Sequence, residues 1–452
     1  MTTLGVLQKT PPSAANDELP LKRQKDAPVI TLQDCQQRDA VDPLRSLRDL
    51  FTLPSGVIYL DGNSLGALPK STPARIAQVV SEEWGRGLIR SWNTAGWFEL
   101  PQLLGNRIAP LIGAGPNEVL VTDSTSINLY KVLSAALAIC AQDSPERRVI
   151  VSERSNFPTD LYIAEGLCRE RGLHLQLVEP DEILPALTAN VAVLMLTHVN
   201  YRTGAMHDMM SLTHAAHAVG ALTVWDLAHS AGAVPVELKS ADADFSVGCS
   251  YKYLNGGPGA PAFVWVNPKH ADRFWQPLSG WWGHANPFEF STNYRPAPGI
   301  GRYLCGTQAI LSLAALQCGL DIFDAAQVLG GMAALRQKSL ALTDLFIALV
   351  EQRCSQHGLG LATPRAHQQR GSQVCLTREQ GAFGIVQALI SRGVIGDFRA
   401  GDGSSHQDIL RFGLTPLYIG FEEVWQAVEH LQQVLESGEW QRPEFNQKHA
   451  VT

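Results

Sequence analysis

The stretch that decides the fold runs from residue 221 to residue 261 and reads ALTVWDLAHSAGAVPVELKSADADFSVGCSYKYLNGGPGAP. Its apolar run 222–225 is typical of a buried strand and ends at Asp226. Further along, Lys252 stands between two tyrosines and is followed by glycines. Because most aspartates and lysines are exposed, either residue alone would be interpreted as a helix cap or a surface charge. The neighbouring sequence is therefore needed to tell whether Asp226 and Lys252 have a structural or a functional role.

Strand-like and helical segments alternate on the N-terminal side of this stretch. Apolar runs predict strands at 119–122, 149–151, 173–178, 191–196 and 222–225, with helical periodicity over 127–138, after Thr159 and over 214–219. Such alternation predicts an α/β fold with a mostly parallel sheet flanked by helices. Ligands of these folds bind beyond the carboxyl ends of the strands. Most polar candidate residues of this region follow a predicted strand.

Changes in composition divide the chain into segments. Residues 1–40 are polar and lack periodicity, so they are predicted to form a mobile tail. Residues 41–90 are expected to form an N-terminal segment that packs on both domains, and residues 91–333 a large cofactor-binding domain. The helix and strand pattern over 334–437 predicts a smaller α+β domain, and 438–452 a second tail.

Composition excludes several classes of function. The 452 residues are 45% hydrophobic with a net charge of −7, and the lysines and arginines are dispersed, which argues against nucleic-acid binding. No apolar run approaches the roughly 18 residues that a membrane span needs. The eight cysteines have no CxxC or zinc-type spacing, so we expect free thiols and no metal. Without a signal-like N-terminus, a cytoplasmic location is expected.

A candidate anion site lies at Ser124-Thr125-Ser126, after one predicted strand and before a helix. Hydroxyls and free N–H groups at a helix N-terminus bind anions, although simple N-capping is the commoner use of such residues. With Lys252 and Asp226 in the same sheet region, a phosphate site is the better interpretation. A lysine that holds an aldehyde as a Schiff base, a carboxylate that keeps a ring nitrogen protonated and a phosphate site are the requirements of pyridoxal phosphate.

Other candidates follow neighbouring strands. Phe157, in Phe157-Pro158-Thr159-Asp160, would stack on a flat ring, although Phe is more often a core residue. Asp226 and His229 are three residues apart and would be adjacent on a helix, so His229 is predicted to hydrogen-bond Asp226. The alternative for this pair is a satisfied polar contact near the core.

Taken together, the motifs resemble those of the kynureninase family. The motifs YLDGNSLG, IRSWN, DSTSINLYK, NFPTD, DLAH, SYKYLNGGPG, GWWGH, CGTQ and LRFGLTPLY occur in the family's order over about residues 40–437. The resemblance implies pyridoxal-phosphate fold type I of the aminotransferase class V kind. It implies hydrolytic cleavage of L-kynurenine or 3-hydroxy-L-kynurenine to an anthranilate and L-alanine, in tryptophan catabolism and NAD biosynthesis. It also implies a homodimer with shared active sites that acts on a small molecule.

The resemblance also assigns roles residue by residue. Lys252 is the Schiff-base lysine, Asp226 the partner of the ring nitrogen, and Tyr251 a phosphate contact and the expected proton donor. The remaining cofactor contacts are Thr125, Ser126, Phe157, Thr159, Asp160, Thr197 and His229, with Trp281 and Thr307 from the partner subunit. The substrate contacts are Asn63, Ser64 and His284, with Arg411 receiving the carboxylate through its fork of donors.

In the expected mechanism Lys252 removes the α-proton, water adds to the γ-carbonyl and Tyr251 returns a proton. Three alternatives stay open at this point: a cysteine desulfurase, an aminotransferase of the same fold, and a non-catalytic relative. A desulfurase would need a reactive cysteine on a mobile loop, and neither Cys354 nor Cys375 lies in a glycine-rich loop. A Rossmann dehydrogenase is disfavoured because no GxGxxG follows the first strand.

Overall fold

The computed structural model describes Leu21, residues 28–401 and residues 407–447. Its N-terminal segment contains short elements that pack on the rest of the chain. They are α1 (Leu32–Ala40), β1 (Phe51–Thr52), β2 (Ile58–Tyr59), β3 (Leu68–Pro69), α2 (Thr72–Gln78), a π-helical segment (Val79–Gly87) and α3 (Ser91–Thr94). Helix α1 corrects the prediction of a tail over residues 1–40, most of which lies outside the described residues. Thr31 and Asp34 form a capping box that starts this helix.

The large domain follows with ten helices and strands that alternate, and then two more strands and a long helix. They are α4 (Leu100–Ile108), β4 (Val119–Val121), α5 (Thr125–Asp143), β5 (Val149–Glu153), α6 (Pro158–Arg171), β6 (His174–Val178), α7 (Ile183–Ala186), β7 (Val191–Thr197), α8 (Met209–Ala218), β8 (Leu222–Asp226), β9 (Phe245–Gly248), β10 (Phe263–Val266) and α9 (Ile310–Val328). Seven strands form one sheet in the order β4-β10-β9-β8-β7-β5-β6, in which only the pairs made by β10 are antiparallel. The predicted, mostly parallel sheet is confirmed.

The sheet is buried on both faces. Along β7, Val193 and Met195 pack into one apolar cluster with α5, and Leu194 and Leu196 pack into the other. Because side chains alternate across a strand, a strand covered on both faces is apolar throughout. This explains the uninterrupted apolar run that the sequence shows there.

The small domain contains α10 (Gly331–Cys354), β11 (Gly360–Leu361), β12 (Gln373–Arg378), α11 (Ala382–Ser391), β13 (Val394–Ile395), β14 (Asp397–Arg399), β15 (Asp408–Gly413) and α12 (Phe421–Ser437). Four of its strands form an antiparallel sheet in the order β11-β12-β15-β14. The predicted C-terminal tail is wrong for residues 438–447, which form short helical turns beside α11, where Asn446 donates to the carbonyl of Trp440 at 2.9 Å. Residues 448–452 lie outside the described part.

The N-terminal segment contacts both the large and the small domain. Strand β2 pairs in parallel with β13 of the small domain, and Asp61 forms a β-bridge with Gly413. On the other side Arg75 of α2 donates to Gln317 of α9. Loops that follow β2 therefore lie between the large and small domains.

No single described helix is long and apolar enough to cross a bilayer. Helices α9 and α10 meet the test only when taken together, and they are bent by 90° at their junction.

Candidate active site

The candidate site is built on the carboxyl ends of two adjacent parallel strands. Thr197 ends β7 and Asp226 ends β8, and the two residues are directly paired in the register. Both are buried, at 4% and 5% exposure. The sheet therefore fixes two polar side chains side by side where ligands of this architecture bind.

A second buried carboxyl lies next to Asp226. Helix α6 begins at Pro158, which places Asp160 in its first turn, 3% exposed and within hydrogen-bonding reach of Asp226. Asp226 also accepts a hydrogen bond from the Ala228 N–H at 2.7 Å. Burial raises the pKa of both carboxyls, and the neighbouring Asp226 raises the pKa of Asp160 further, well above its usual range. Asp160 therefore carries the proton that the pair shares.

Lys252 contacts a histidine rather than an acid. Its Nζ lies 2.9 Å from Nε2 of His229. Burial, and then the Lys252 charge, hold the pKa of His229 well below its usual range, so the imidazole is neutral. A neutral ring that faces an ammonium accepts at Nε2 and carries its proton on Nδ1. His229 thus orients the lysine.

This contact corrects the predicted hydrogen bond between His229 and Asp226. The prediction assumed a helix over these residues, but the chain turns at 228–230 directly after β8. The turn brings the imidazole to Lys252, and Asp226 is held instead by the Ala228 N–H. Among the described contacts, His229 therefore does not hydrogen-bond to Asp226.

The predicted anion site is a pocket at the N-terminus of α5. Ser124 caps the helix by accepting from the Ile127 N–H at 3.4 Å, which leaves the first-turn N–H groups of Thr125 and Ser126 directed outward. The pocket has a volume of about 240 Å³ and is lined by Asp123, Ser124, Thr125, Tyr251, Gly259, Ala260 and Ala262. Helix end, hydroxyls and Tyr251 converge there, as a phosphate requires.

The negative charge of Asp123, which lines this pocket, is neutralised by a buried lysine. Asp123 has φ of 48°, in the left-handed region, and its carboxylate forms an ion pair with the fully buried Lys131. The same ammonium donates to the carbonyl of Tyr303 at 2.6 Å. Lys131 cancels a charge that would otherwise repel an anion at the helix end.

The remaining ring candidates surround this centre. Phe157 is 43% exposed and packs edge-on against Tyr201, with ring centroids 5.3 Å apart. Thr159 is half-buried in the same turn as Asp160. Thr197 donates its hydroxyl hydrogen to the side chain of Asn156. Burial, and then Cys249, raise the pKa of Tyr251, so its hydroxyl is protonated at neutral pH, as a proton donor must be.

Arg411 lies at the centre of a buried charged cluster. Its side chain is 1% exposed and forms a two-point ion pair with Asp397, in which Nε donates to Oδ1 at 2.7 Å. It also donates to Ser64 Oγ at 2.6 Å and to the carbonyl of Tyr201 at 2.9 Å. Arg399 pairs with the same Asp397 at 2.7 Å. The predicted substrate contacts Ser64 and Arg411 are thus in direct contact.

The other two predicted substrate contacts lie apart from one another. Asn63 is fully buried beside Gly413, and both polar atoms of its amide lack a partner among the described residues. His284 is also buried, and its ring bonds locally to the carbonyl of Asn293 at 3.2 Å and to the N–H of Asn286 at 3.0 Å. Asn63 therefore has unused hydrogen-bonding capacity, whereas His284 is occupied within its own loop.

Trp281 and Thr307 do not reach the site of their own chain. Trp281 packs on Trp282 and Phe288, with centroid distances of 5.0 and 5.8 Å, and Thr307 is exposed. Neither lines the pocket at α5 within the described ranges. Both predicted cofactor contacts therefore lie away from the α5 pocket of the same chain.

The residues present fit pyridoxal phosphate. The α5 pocket suits its phosphate, and the half-buried Lys252 suits its aldehyde. The buried pair Asp160 and Asp226 has an oxygen, Oδ2 of Asp160, without a partner in the described part of the chain. A cationic ring nitrogen is the kind of group that this pair would hold.

Three charged residues of the site were not predicted: Asp61, Asp397 and Arg399. Asp61 stands inside the quoted YLDGNSLG motif, yet nothing in that motif reveals a charged partner. Asp397 faces Arg411 across the antiparallel pair of β14 and β15. The sequence signal that could have found two of them is the spacing of Asp397 and Arg399. Residues two apart lie on the same face of a strand, so both charges face the same side of β14.

Cys354 and Cys375, the two cysteines considered for a desulfurase, argue against that alternative. All eight are free thiols, and Cys354 and Cys375 are fully buried. Burial raises the pKa of Cys354 to about 12 and that of Cys375 to about 11. A buried thiol with a raised pKa has neither the access nor the thiolate fraction that sulfur transfer needs. The prediction of free thiols is confirmed.

Comparison with known proteins agrees with this geometry. Residues 335–431 match the family model "Kynureninase C-terminal domain". A kynureninase of Pseudomonas fluorescens is 58% identical over 427 residues, which cover 94% of this chain and all of that one. Among solved structures, a cysteine desulfurase of Thermococcus onnurineus NA1 has a TM-score of 0.73 at 19% identity, over 87% of this chain and 98% of that one. A C-DES mutant with glycine covalently linked to its PLP cofactor also has a TM-score of 0.73, at 16% identity, over 85% and 98%. At these identities the structural likeness shows the fold, which is the predicted fold type I.

Proposed function

Since the chain belongs to the kynureninase family, we propose that the residues at the strand ends divide the work of a kynureninase as set out below. The protein is a pyridoxal-phosphate-dependent hydrolase that cleaves the side chain of L-kynurenine or 3-hydroxy-L-kynurenine. The products are an anthranilate and L-alanine, and the reaction belongs to tryptophan catabolism. The observation that carries the assignment of roles is the contact of Lys252 with a neutral His229 beside the buried carboxyl pair.

When bound, pyridoxal phosphate draws electrons away from the substrate's α-carbon. Lys252 is the residue that would hold its aldehyde and accept the α-proton at Nζ. His229 directs that Nζ by accepting its hydrogen bond, and it adds no charge because it is neutral. Asp226, paired with the protonated Asp160, would keep the ring nitrogen cationic.

The remaining groups position the reactants. The N-terminus of α5, with Thr125 and Ser126, would hold the phosphate. Arg411 would bind the substrate carboxylate, and its four hydrogen bonds to protein fix the guanidinium in one orientation. Tyr251, whose hydroxyl is protonated and whose ring centroid lies 5.8 Å from Nζ of Lys252, would return a proton to the three-carbon product.

A product assay tests this proposal. Purified protein with and without added pyridoxal phosphate is given kynurenine and 3-hydroxykynurenine while anthranilate fluorescence is followed. We expect cofactor-dependent release of an anthranilate and alanine. Release of sulfide from cysteine, or of a keto acid, in place of these products would favour a desulfurase or an aminotransferase instead.

Replacing Arg411 with Lys should raise KM for kynurenine about 30- to 100-fold with a smaller effect on kcat, because a lysine loses the fork of donors but keeps the charge. Steady-state kinetics measures the change. Arg202→Lys is a matched control, since among the described residues the Arg202 guanidinium donates to the backbone carbonyls of Ala400 and Gln407 and to no side chain. A loss confined to kcat in Arg411→Lys would contradict carboxylate binding.

We also propose a homodimer in which Trp281 and Thr307 serve the partner's phosphate site. Two observations support this: both residues lie away from their own site, and Phe288 and Phe290 beside Trp281 are 65% and 74% exposed. Exposed aromatic patches of this kind mark protein interfaces. A cytoplasmic location stays a prediction, which cell fractionation would check.

Complementation between two inactive variants tests the shared site. Thr307→Glu places a negative charge beside the partner's phosphate site, and Lys252→Ala removes the lysine of its own site. If sites are shared, co-expression leaves each mixed dimer with one intact site, so about a quarter of wild-type activity returns. Mixed preparations no more active than either parent would show that each chain completes its own site.

A further inference from the structure

Asp61 is a half-buried residue whose carboxyl lies beside Arg411, and the mechanism gives it no task. It follows β2 and bridges to Gly413, two residues beyond Arg411 on β15. Its backbone carbonyl accepts from the Ser64 N–H at 2.9 Å, which ties it to the loop that contacts Arg411. Oδ1 of Asp61 is buried and has no hydrogen-bond partner among the described residues.

The described charges that face Asp61 are balanced. Asp397 and Arg399 face it from β14 and Arg411 from β15, so two carboxyls stand against two guanidiniums. Phenols also face it, and burial raises the pKa of each, so they are neutral: Tyr59, Tyr253 and Tyr418. With both acids ionised, the cluster has no net positive charge left for another anion.

A substrate carboxylate at Arg411 would upset this balance. Three negative groups would then share two positive ones in a partly buried site, where an uncompensated charge is unfavourable. Protonation of one acid restores the balance. Asp397 is poorly suited, because although burial favours its neutral form, the two-point ion pair with Arg411 outweighs burial and lowers its pKa.

Asp61 is the suited acid, because its Oδ1 is unpartnered and no arginine holds it in a two-point pair among the described contacts. Burial, and then the neighbouring Asp397, raise the pKa of Asp61 to about 7. Geometry and charge therefore select the same group.

We infer that Asp61 takes up one proton from solvent when the carboxylate of an amino-acid substrate binds at Arg411, and that it thereby makes substrate binding depend on pH. The inference rests on the proposed role of Arg411. Asp61 is a positioning residue: its neutral form leaves Arg411 and Arg399 a net positive charge for the ligand. As pH rises through the pKa of Asp61, the ionised form competes with the ligand and affinity falls.

The test uses the holoenzyme and 4-oxo-4-phenylbutanoate, which has the aroyl ketone and carboxylate of kynurenine but no amine to react with the cofactor. Its dissociation constant is measured by calorimetry from about pH 5.5 to about pH 8.5, where its carboxylate is ionised throughout. We expect Kd to rise by up to about tenfold per pH unit above about 7. The corresponding neutral amide should bind with little pH dependence.

Variants assign the effect to one residue. Asp61→Asn should bind the carboxylate with nearly constant affinity over this range. Asp143→Asn, a surface carboxylate that pairs with Arg273, loses the same charge and should keep the wild-type slope. Wild-type titrations in buffers of different ionisation enthalpy should count up to one proton taken up for each ligand bound above about pH 7, which tests the inference without any variant.

The outcomes separate the two proposals. If carboxylate and amide bind the wild type equally well at every pH, the role of Arg411 fails. If the carboxylate binds more tightly but with no proton uptake, the role of Arg411 stands and that of Asp61 is overturned. A pH slope that persists unchanged in Asp61→Asn also overturns the assignment to Asp61.

Discussion

Replacing Lys252 with Ala is expected to reduce kcat by about 10⁴-fold or more, because under the proposed roles one atom, Nζ, would both hold the cofactor aldehyde and accept the α-proton. The variant should also lose the visible absorbance of covalently held cofactor. Borohydride reduction of the wild-type holoenzyme followed by peptide mapping should place the label at position 252. Anthranilate fluorescence measures the loss of turnover.

The control for this prediction is Lys239→Ala, whose lysine is half-exposed and pairs with Glu118 at 3.0 Å rather than with a residue of the candidate site. It should retain wild-type turnover and label. A borohydride label on another lysine, or full turnover in Lys252→Ala, would remove the basis of the proposed site.

Replacing Asp226 with Asn is expected to lower kcat about 150- to 5,000-fold, because removal of a buried charge partner costs about 3–5 kcal/mol. The loss should fall on the chemical step, since the ring nitrogen would no longer be kept cationic. Cofactor affinity should change less, by about tenfold or below, because the α5 pocket and Lys252 are intact. Kinetics and a fluorescence titration with pyridoxal phosphate separate the two quantities.

Asp160→Asn is the matched control. Asp160 already carries the proton of the pair, so an amide preserves a neutral hydrogen-bond donor beside Asp226. Its kcat should stay within about tenfold of the wild type. Equal losses in turnover and in cofactor affinity for Asp226→Asn would count against its proposed role, as would a larger effect at Asp160.

The sheet and the position of its ligand site could be predicted because they depend on strong local patterns. The run 191–196 is apolar throughout, as is typical of a strand covered on both faces. Since parallel strands end at one edge, Thr197 and Asp226 had to meet there, and the register pairs them directly. Ser124 likewise marked the start of α5 through its capping hydroxyl.

Contacts that depend on the exact backbone path could not be predicted. His229 was expected on Asp226 because residues three apart are adjacent on a helix, but a turn of three residues sends the ring to Lys252. Asp397 reaches Arg411 only through the register of two strands separated by a loop, and no local pattern sets that register. The first helix was missed because its nine residues are mostly polar and gain their stability from the capping box and from packing.

Arg411 donates hydrogen bonds to three distant parts of the chain: to Ser64 of the N-terminal segment, to Tyr201 of the large domain and to Asp397 of the small domain. A fragment limited to the large domain would lack Arg411 and two of its three partners. Under the proposed role of Arg411, such a fragment would no longer distinguish amino acids from simple amines, even if it still bound the cofactor. Specificity for a different substrate side chain can be redesigned at the strand ends. Specificity for a group other than the substrate carboxylate requires coordinated changes in all three segments.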